Sequence, residues 1–233
     1  MRRATLIFVC VAWLSWLGAG RASAQTQQPA APPASPAAPG GTQVVDGVAA
    51  RIEDDILTDS EVRELAAFQQ LVDGRSKPRG ELIRELADQW IVRGEADAAK
   101  YPQPSADDVE RAFAQLAGQF SSPEEFKSRC AAVGLSEAAV RRMLAEQLYL
   151  SRFLDYRFRP AAQVDQTQLQ KYYDDEFARQ LKARGQAVPP LEEVEDTIRE
   201  VLVQRQINER AQQWLDNTRD RLKIDIMSTG EQP

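Results

Sequence analysis

The sequence predicts a mainly α-helical domain with a small antiparallel β element, and three observations lead there. Beyond residue 57 most apolar residues recur at three- and four-residue spacing behind Ser, Thr or Asp helix caps. Strand-like patterning is confined to residues 44–57 and 223–226. The composition, 43% hydrophobic and 27% charged over 233 residues, suits a chain that buries a core.

The first 24 residues read as a secretory signal. Met1-Arg2-Arg3 is a basic start, Ala4 to Gly20 is an uncharged, mostly apolar run of 17 residues, and Ala22-Ser23-Ala24 is a small-x-small cleavage pattern. The expected product begins at Gln25 in the periplasm; an uncleaved membrane anchor is the alternative, since the run falls just short of the ~20 residues that span a bilayer. Cys10 lies within this run without the small residues of a lipoprotein signal, which leaves Cys130 as a single cysteine in a helical context, expected to be a small buried apolar group. Losing Arg2, Arg3 and Arg21 moves the formal charge from −6 to −9. An acidic chain without a basic run has no electrostatic footprint for nucleic acid or anionic lipid.

Residues 25–43 hold five prolines among Ala, Gln and Gly and read as a disordered linker. The ordered domain is expected over 44–226, with a disordered tail at 227–233. Val44 to Ile52, a polar Glu53-Asp54-Asp55 turn and Ile56-Leu57 form a hairpin. Thr58-x-x-Glu61 is a capping box opening a helix that stops at Gly74. A second helix starts near Pro78, carries Leu82, Ile83, Leu86, Trp90 and Ile91, and ends near Tyr101-Pro102. Ser105, Ser122 and Ser136 cap three more, the second with Pro123 at its first position and the third running toward Pro160. Asp165 to Phe177 forms a further helix. After a polar stretch ending in Pro189-Pro190, Leu191 to Leu222 forms a helix of roughly 48 Å. Its apolar positions thin out between Gln204 and Gln213, so it should dock against two groups of elements. Lys223-Ile224-Asp225-Ile226 alternates as a strand, expected to pair with the hairpin.

The chain contains no histidine. That removes the most common general base, the Ser-His-Asp and Cys-His nucleophile systems, and most zinc sites. No GxxxxGK, GxGxxG, GxSxG or Ser-x-x-Lys segment occurs. The acidic clusters Asp54-Asp55, Asp107-Asp108, Asp174-Asp175-Glu176 and Glu192-Glu193-Glu195-Asp196 mostly sit at helix N-termini, where the helix dipole favours negative charge. No cofactor, metal site or catalytic residue is expected. What remains is apolar surface. Phe113, Phe120, Phe126, Met143, Tyr149, Phe153, Tyr156 and Phe158 are the candidate contacts for an unfolded client. The helix after Ser136 carries more apolar faces than one stripe of core contact needs.

Three segments resemble the substrate-binding region of periplasmic chaperones and foldases of the SurA and PrsA type. Val45 to Val62 looks like that family's opening strand, turn and capped helix, with Glu53 at a position often held by asparagine. Val164-Asp165-Gln166-Thr167-Gln168-Leu169-Gln170-Lys171-Tyr172-Tyr173 is similar to its double-tyrosine helix, and Pro190 through Trp214 to Ile226 to its closing helix and strand. In the foldases a parvulin-type prolyl isomerase domain with active-site histidines follows the double-tyrosine helix. Here 17 residues separate Tyr173 from Leu191, whereas a domain needs ~40 or more. The resemblance implies a SurA N-terminal-like helical domain and an ATP-independent periplasmic chaperone that binds unfolded envelope or outer-membrane proteins, possible as a homo-oligomer, without isomerase activity. An adaptor docking one folded envelope partner and an active prolyl isomerase are the alternatives.

Overall fold

The computed structural model describes residues 46–227. The expected signal, linker, first strand residues 44–45 and tail residues 228–233 lie outside them. Among the described residues the chain is mainly helical with one three-stranded sheet, and no helix is long and apolar enough to cross a membrane.

In the sheet, β1 (Val48–Ile52) lies between β2 (Asp55–Thr58) and β3 (Ile224–Ile226) and is antiparallel to both. A register shift between Val48 and Ala50 turns two consecutive residues, Ala49 and Ala50, into the core. The hairpin turn needs a left-handed residue, and Glu53 supplies it at φ 50°. Two bonds hold that conformation: the Glu53 N–H donates to the Lys223 carbonyl at 3.0 Å, and the Lys223 N–H donates to the Glu53 carboxylate at 2.7 Å. At the other end of β3, the Met227 N–H donates to the Ala49 carbonyl at 3.0 Å.

The first helix is fastened to the hairpin. α1 (Asp59–Asp73) opens with the reciprocal Thr58–Glu61 cap and closes at Gly74, φ 69°. The Asp46 carboxylate accepts from the Ser60 N–H at 3.0 Å and from its hydroxyl, which lowers the Asp46 pKa. The Asp59 N–H donates to the Gly47 carbonyl at 2.8 Å. Chain and helix come so close here that a Cβ on Gly47 would run into the Asp59 carboxylate. That carboxylate also pairs with Arg79 at 2.5 Å, tying α1 to α2 (Arg79–Ala98).

α3 (Ala106–Ala117), α4 (Pro123–Ala132) and α5 (Glu137–Phe158) begin at the three expected serines. The hydroxyls of Ser105, Ser122 and Ser136 accept from the N–H groups of Asp108, Glu125 and Ala139 at 3.2, 3.1 and 3.1 Å. Cys130 is buried, and burial raises its thiol pKa. The next helix runs further than the sequence pattern suggests. α6 (Gln166–Tyr172) passes through a π-helical turn at Tyr173–Phe177 into α7 (Ala178–Ala183). Arg205 of the long α8 (Leu191–Arg219) lies over the Tyr172 ring, while the Tyr173 hydroxyl donates to the Pro189 carbonyl at 2.7 Å just before α8 starts. Residues 184–190 are all that join α7 to α8.

The core is divided into four clusters bridged by long helices. Ala49, Ala50, Ile52 and Leu57 of the sheet pack on Val62 and Leu65 of α1 and Leu82, Ile83 and Ala87 of α2. Phe68 and Leu71 of α1 meet Leu116, Phe126, Cys130, Leu135 and Val140. Ile91, Val92 and Ala96 of α2 pack with Tyr149, Leu150, Phe153 and Leu154 of α5 and Ala211 and Leu215 of α8. Leu169 of α6 packs with Leu191 and Ile198. α8 therefore docks at both ends, on α6 with one half and on α2 and α5 with the other. Between these ends Ile207, one of the few apolar residues of its middle, is buried as well.

One ionic contact, between half-buried side chains, joins α8 to α2. Arg219 Nε lies 3.1 Å from Asp88 Oδ1 of α2, but off-line for a hydrogen bond, so the attraction is mainly coulombic. Burial pushes the Asp88 pKa up to about 6 against the opposing pull of Arg219; Asp216, which also pairs with Arg219, and Glu85 push it the same way. A carboxyl raised above its unfolded value binds its proton more readily in the folded state, so its cost to stability is complete above pH ~6 and is relieved as pH falls toward ~4. Asp88→Asn is expected to remove a pH-dependent contribution of up to ~3 kcal/mol, flattening the rise in melting temperature between pH 7.5 and 5; an unchanged profile in thermal melts contradicts this. Gly47→Ala is expected to cost about 1 kcal/mol in chemical denaturation, by displacing the Asp59 carboxylate from its pairing with Arg79.

Candidate functional site

The expected contact residues separate into two groups with different fates. Phe113 and Phe120 pack against Phe126, ring centroids 5.3 and 5.2 Å apart, within the cluster shared by α1, α3, α4 and α5. Arg141 covers the Phe113 ring at 3.6 Å and is itself held by Glu110 at 2.7 Å and Glu137 at 3.3 Å. Those carboxylates raise its pKa, Glu110 most. Met143 is half-buried between this cluster and the one beneath the sheet.

Tyr149, Phe153, Tyr156 and Phe158 gather elsewhere, around the C-terminal half of α5. Tyr101 organises them. After α2, Lys100 takes a left-handed φ of 52° and turns the chain so that the Tyr101 N–H donates back to the Ala96 carbonyl at 2.9 Å. Its ring then sits 6.0, 5.6 and 5.4 Å from those of Tyr149, Phe153 and Tyr156. The Tyr149 hydroxyl donates to Asp97 at 2.7 Å, and burial together with that carboxylate pushes its pKa up to about 12. Beside this group, Phe158 meets Trp214 of α8 at 5.9 Å, and Arg157 lies 4.8 Å over the Trp214 ring while pairing with Glu95 at 3.0 Å.

Burial corrects part of the expectation. Phe126, Tyr149 and Phe153 are only 1–2% exposed and belong to the core, so they cannot contact a client without opening the fold. Phe113, Phe120, Met143 and Phe158 are half-buried edges of that core. Tyr156 alone of the eight is well exposed, at 64%. Phe113 of α3, Phe120 just beyond it and Phe126 of α4 satisfy one another in one cluster, while Phe153 and Phe158 of α5 belong to another.

The exposed apolar groups lie elsewhere. Val48, Ile56 and Ile226 are on the sheet and Val201 is on α8. An open cleft of about 470 Å³ separates α1 from the link between α4 and α5, with Ala67, Val133, Leu135 and Ala139 as its apolar part and Ser60, Glu61, Arg63, Glu64 and Ser136 as its polar part. None of the eight expected residues lines it. Tyr101 and the sheet residues were legible only as structural elements in the sequence. The left-handed Lys100 that aims Tyr101 has no local signal, whereas the alternation at 224–226 does mark a strand with one open side.

Among the described residues no group of three or more His, Cys, Asp or Glu side chains is placed to hold a metal ion. At the cleft, Glu61 and Ser136 cap helices and Glu64 pairs with Arg142. Neither the protein-family models nor the curated proteins contain a match to this chain.

Phe153→Ala is expected to cost about 3–5 kcal/mol of stability, because it empties the centre of the α2–α5–α8 cluster. Tyr156→Ala is expected to cost under about 1 kcal/mol while removing the most exposed aromatic surface. Urea denaturation of the two variants separates core from surface, and equal losses would contradict the assignment.

Proposed function

We propose that this protein is an ATP-independent, chaperone-like binding protein of the bacterial envelope, which holds unfolded envelope or outer-membrane polypeptides without isomerising their prolines. The order of elements carries the reading. A capped hairpin opens the domain, a double-tyrosine helix precedes a long closing helix, and a final strand returns to the hairpin. This is the arrangement expected of the SurA-type substrate-binding region. The link at 184–190, where the foldases carry their isomerase domain, is far too short for a domain, which supports binding without catalysis.

The chemistry of the surface is compatible with that work. Scattered exposed apolar groups offer weak contacts that tolerate varied sequence, and a holding protein needs affinities low enough to release clients to a more stable folded destination. The signal-like first 24 residues support secretion to the periplasm.

Light scattering of an outer-membrane β-barrel protein diluted from urea tests the proposal. Suppressed aggregation at micromolar protein without nucleotide is the expected result. No suppression and no binding would overturn it. A pull-down dominated by one stoichiometric folded protein would favour an adaptor, and accelerated cis-trans exchange of a proline peptide would favour an isomerase.

A further inference from the structure

Among the described residues β3, one of the two outer strands of the sheet, leaves part of its main chain unpaired. Lys223 and Met227 are bonded to β1 through the Glu53 N–H and the Ala49 carbonyl, both at 3.0 Å, and Asp225 lies opposite Arg51. Main-chain groups alternate in direction along a strand, so residues 223, 225 and 227 face β1 while the N–H and C=O groups of Ile224 and Ile226 face outward. β3 ends the sheet, and no described residue pairs with that edge. Ile226 is 48% exposed, and the same small sheet carries exposed Val48 and Ile56.

We infer that the free edge of β3 receives an extended segment of a client as a fourth strand, held by the main-chain groups of Ile224 and Ile226 and by apolar contact with Ile226. This rests on the chaperone-like reading above and names the site and form of the client. The open edge selects its occupant, because groups repeating every ~6.8 Å are matched only by another extended chain. Alternating apolar and polar residues, as in unfolded β-barrel strands, also suit Ile226 beside the exposed Lys223 and Asp225, whose charges lie 3.6 Å apart. The protein's own residues 228–233, Ser-Thr-Gly-Glu-Gln-Pro, offer no apolar alternation. A second copy joined through strands as short as Ile224–Ile226 would bury far less than the ~1,200 Å² of a stable interface.

Ile226→Pro tests this selectively, since it deletes an outward N–H and leaves the bonds to β1 in place. Binding of a urea-unfolded outer-membrane β-barrel protein, followed by fluorescence anisotropy, is expected to weaken roughly tenfold, the equivalent of about 1.4 kcal/mol, while Ile226→Val binds normally. Equal binding by the folded proline variant overturns the inference and leaves the chaperone-like reading standing. Failure of the wild type to bind overturns both. Hydrogen exchange on the wild type needs no variant: the Ile224 and Ile226 amides are expected to exchange fast when free and slowly with client, and exchange unchanged by bound client overturns the inference. A wild-type dimer that Ile226→Pro dissociates would assign the edge to a second copy and overturn it as well.

Discussion

The structure depends on one strand with two partners. β1 bonds to β2 across a short turn and to β3 across nearly the whole domain, so residues 48–52 and 224–226 are held side by side. Every helix between them lies within a closed circuit. α8 completes that circuit, returning the chain from the satellite cluster around Leu169 to the sheet. The burial of Ala49 and Ala50 is part of this constraint, since small side chains let the sheet approach α1 and α2 closely. Pairing over so long a sequence separation carries a loop-closure cost, which the helices repay only once they pack together.

The aromatic residues show how packing redistributes surface that a sequence seems to offer. A helix with apolar residues all round needs neighbours on several sides, and α5 has them: α3 and α4 near its start, α2 and α8 near its end. Its aromatic rings are mostly spent on these contacts. Surface for a partner is left at the edges of elements, at Tyr156, on the open side of the cleft and along β3.

Arginine does much of the joining between elements in a chain of net charge −6. Arg159 links Asp155 of α5 to Glu200 of α8, both at 2.7 Å, and Arg205 links Glu176 to the Tyr172 face. Such half-exposed pairs are individually worth little, yet the planar guanidinium orients helices by bonding a carboxylate while stacking on a ring. Asp88–Arg219 differs because its facing atoms are shielded from water, and there the cost of removing charge from water outweighs the attraction.

Local signals made much of the fold legible in advance. Thr58, Ser105, Ser122 and Ser136 marked helix starts because a side-chain oxygen satisfies a free N–H within three residues. Gly74 marked a stop through its left-handed backbone. The turn at Glu53 was legible in place, but the bonds to Lys223 that stabilise it come from 170 residues away. The chain by itself also determined that histidine chemistry is absent and that no domain fits between Tyr173 and Leu191. Tertiary structure alone decided which aromatics are buried, how far the double-tyrosine helix continues, and which strands form the edges of the sheet. Periodicity records that a side chain needs a neighbour, but only the assembled helices determine whether that neighbour is supplied from within.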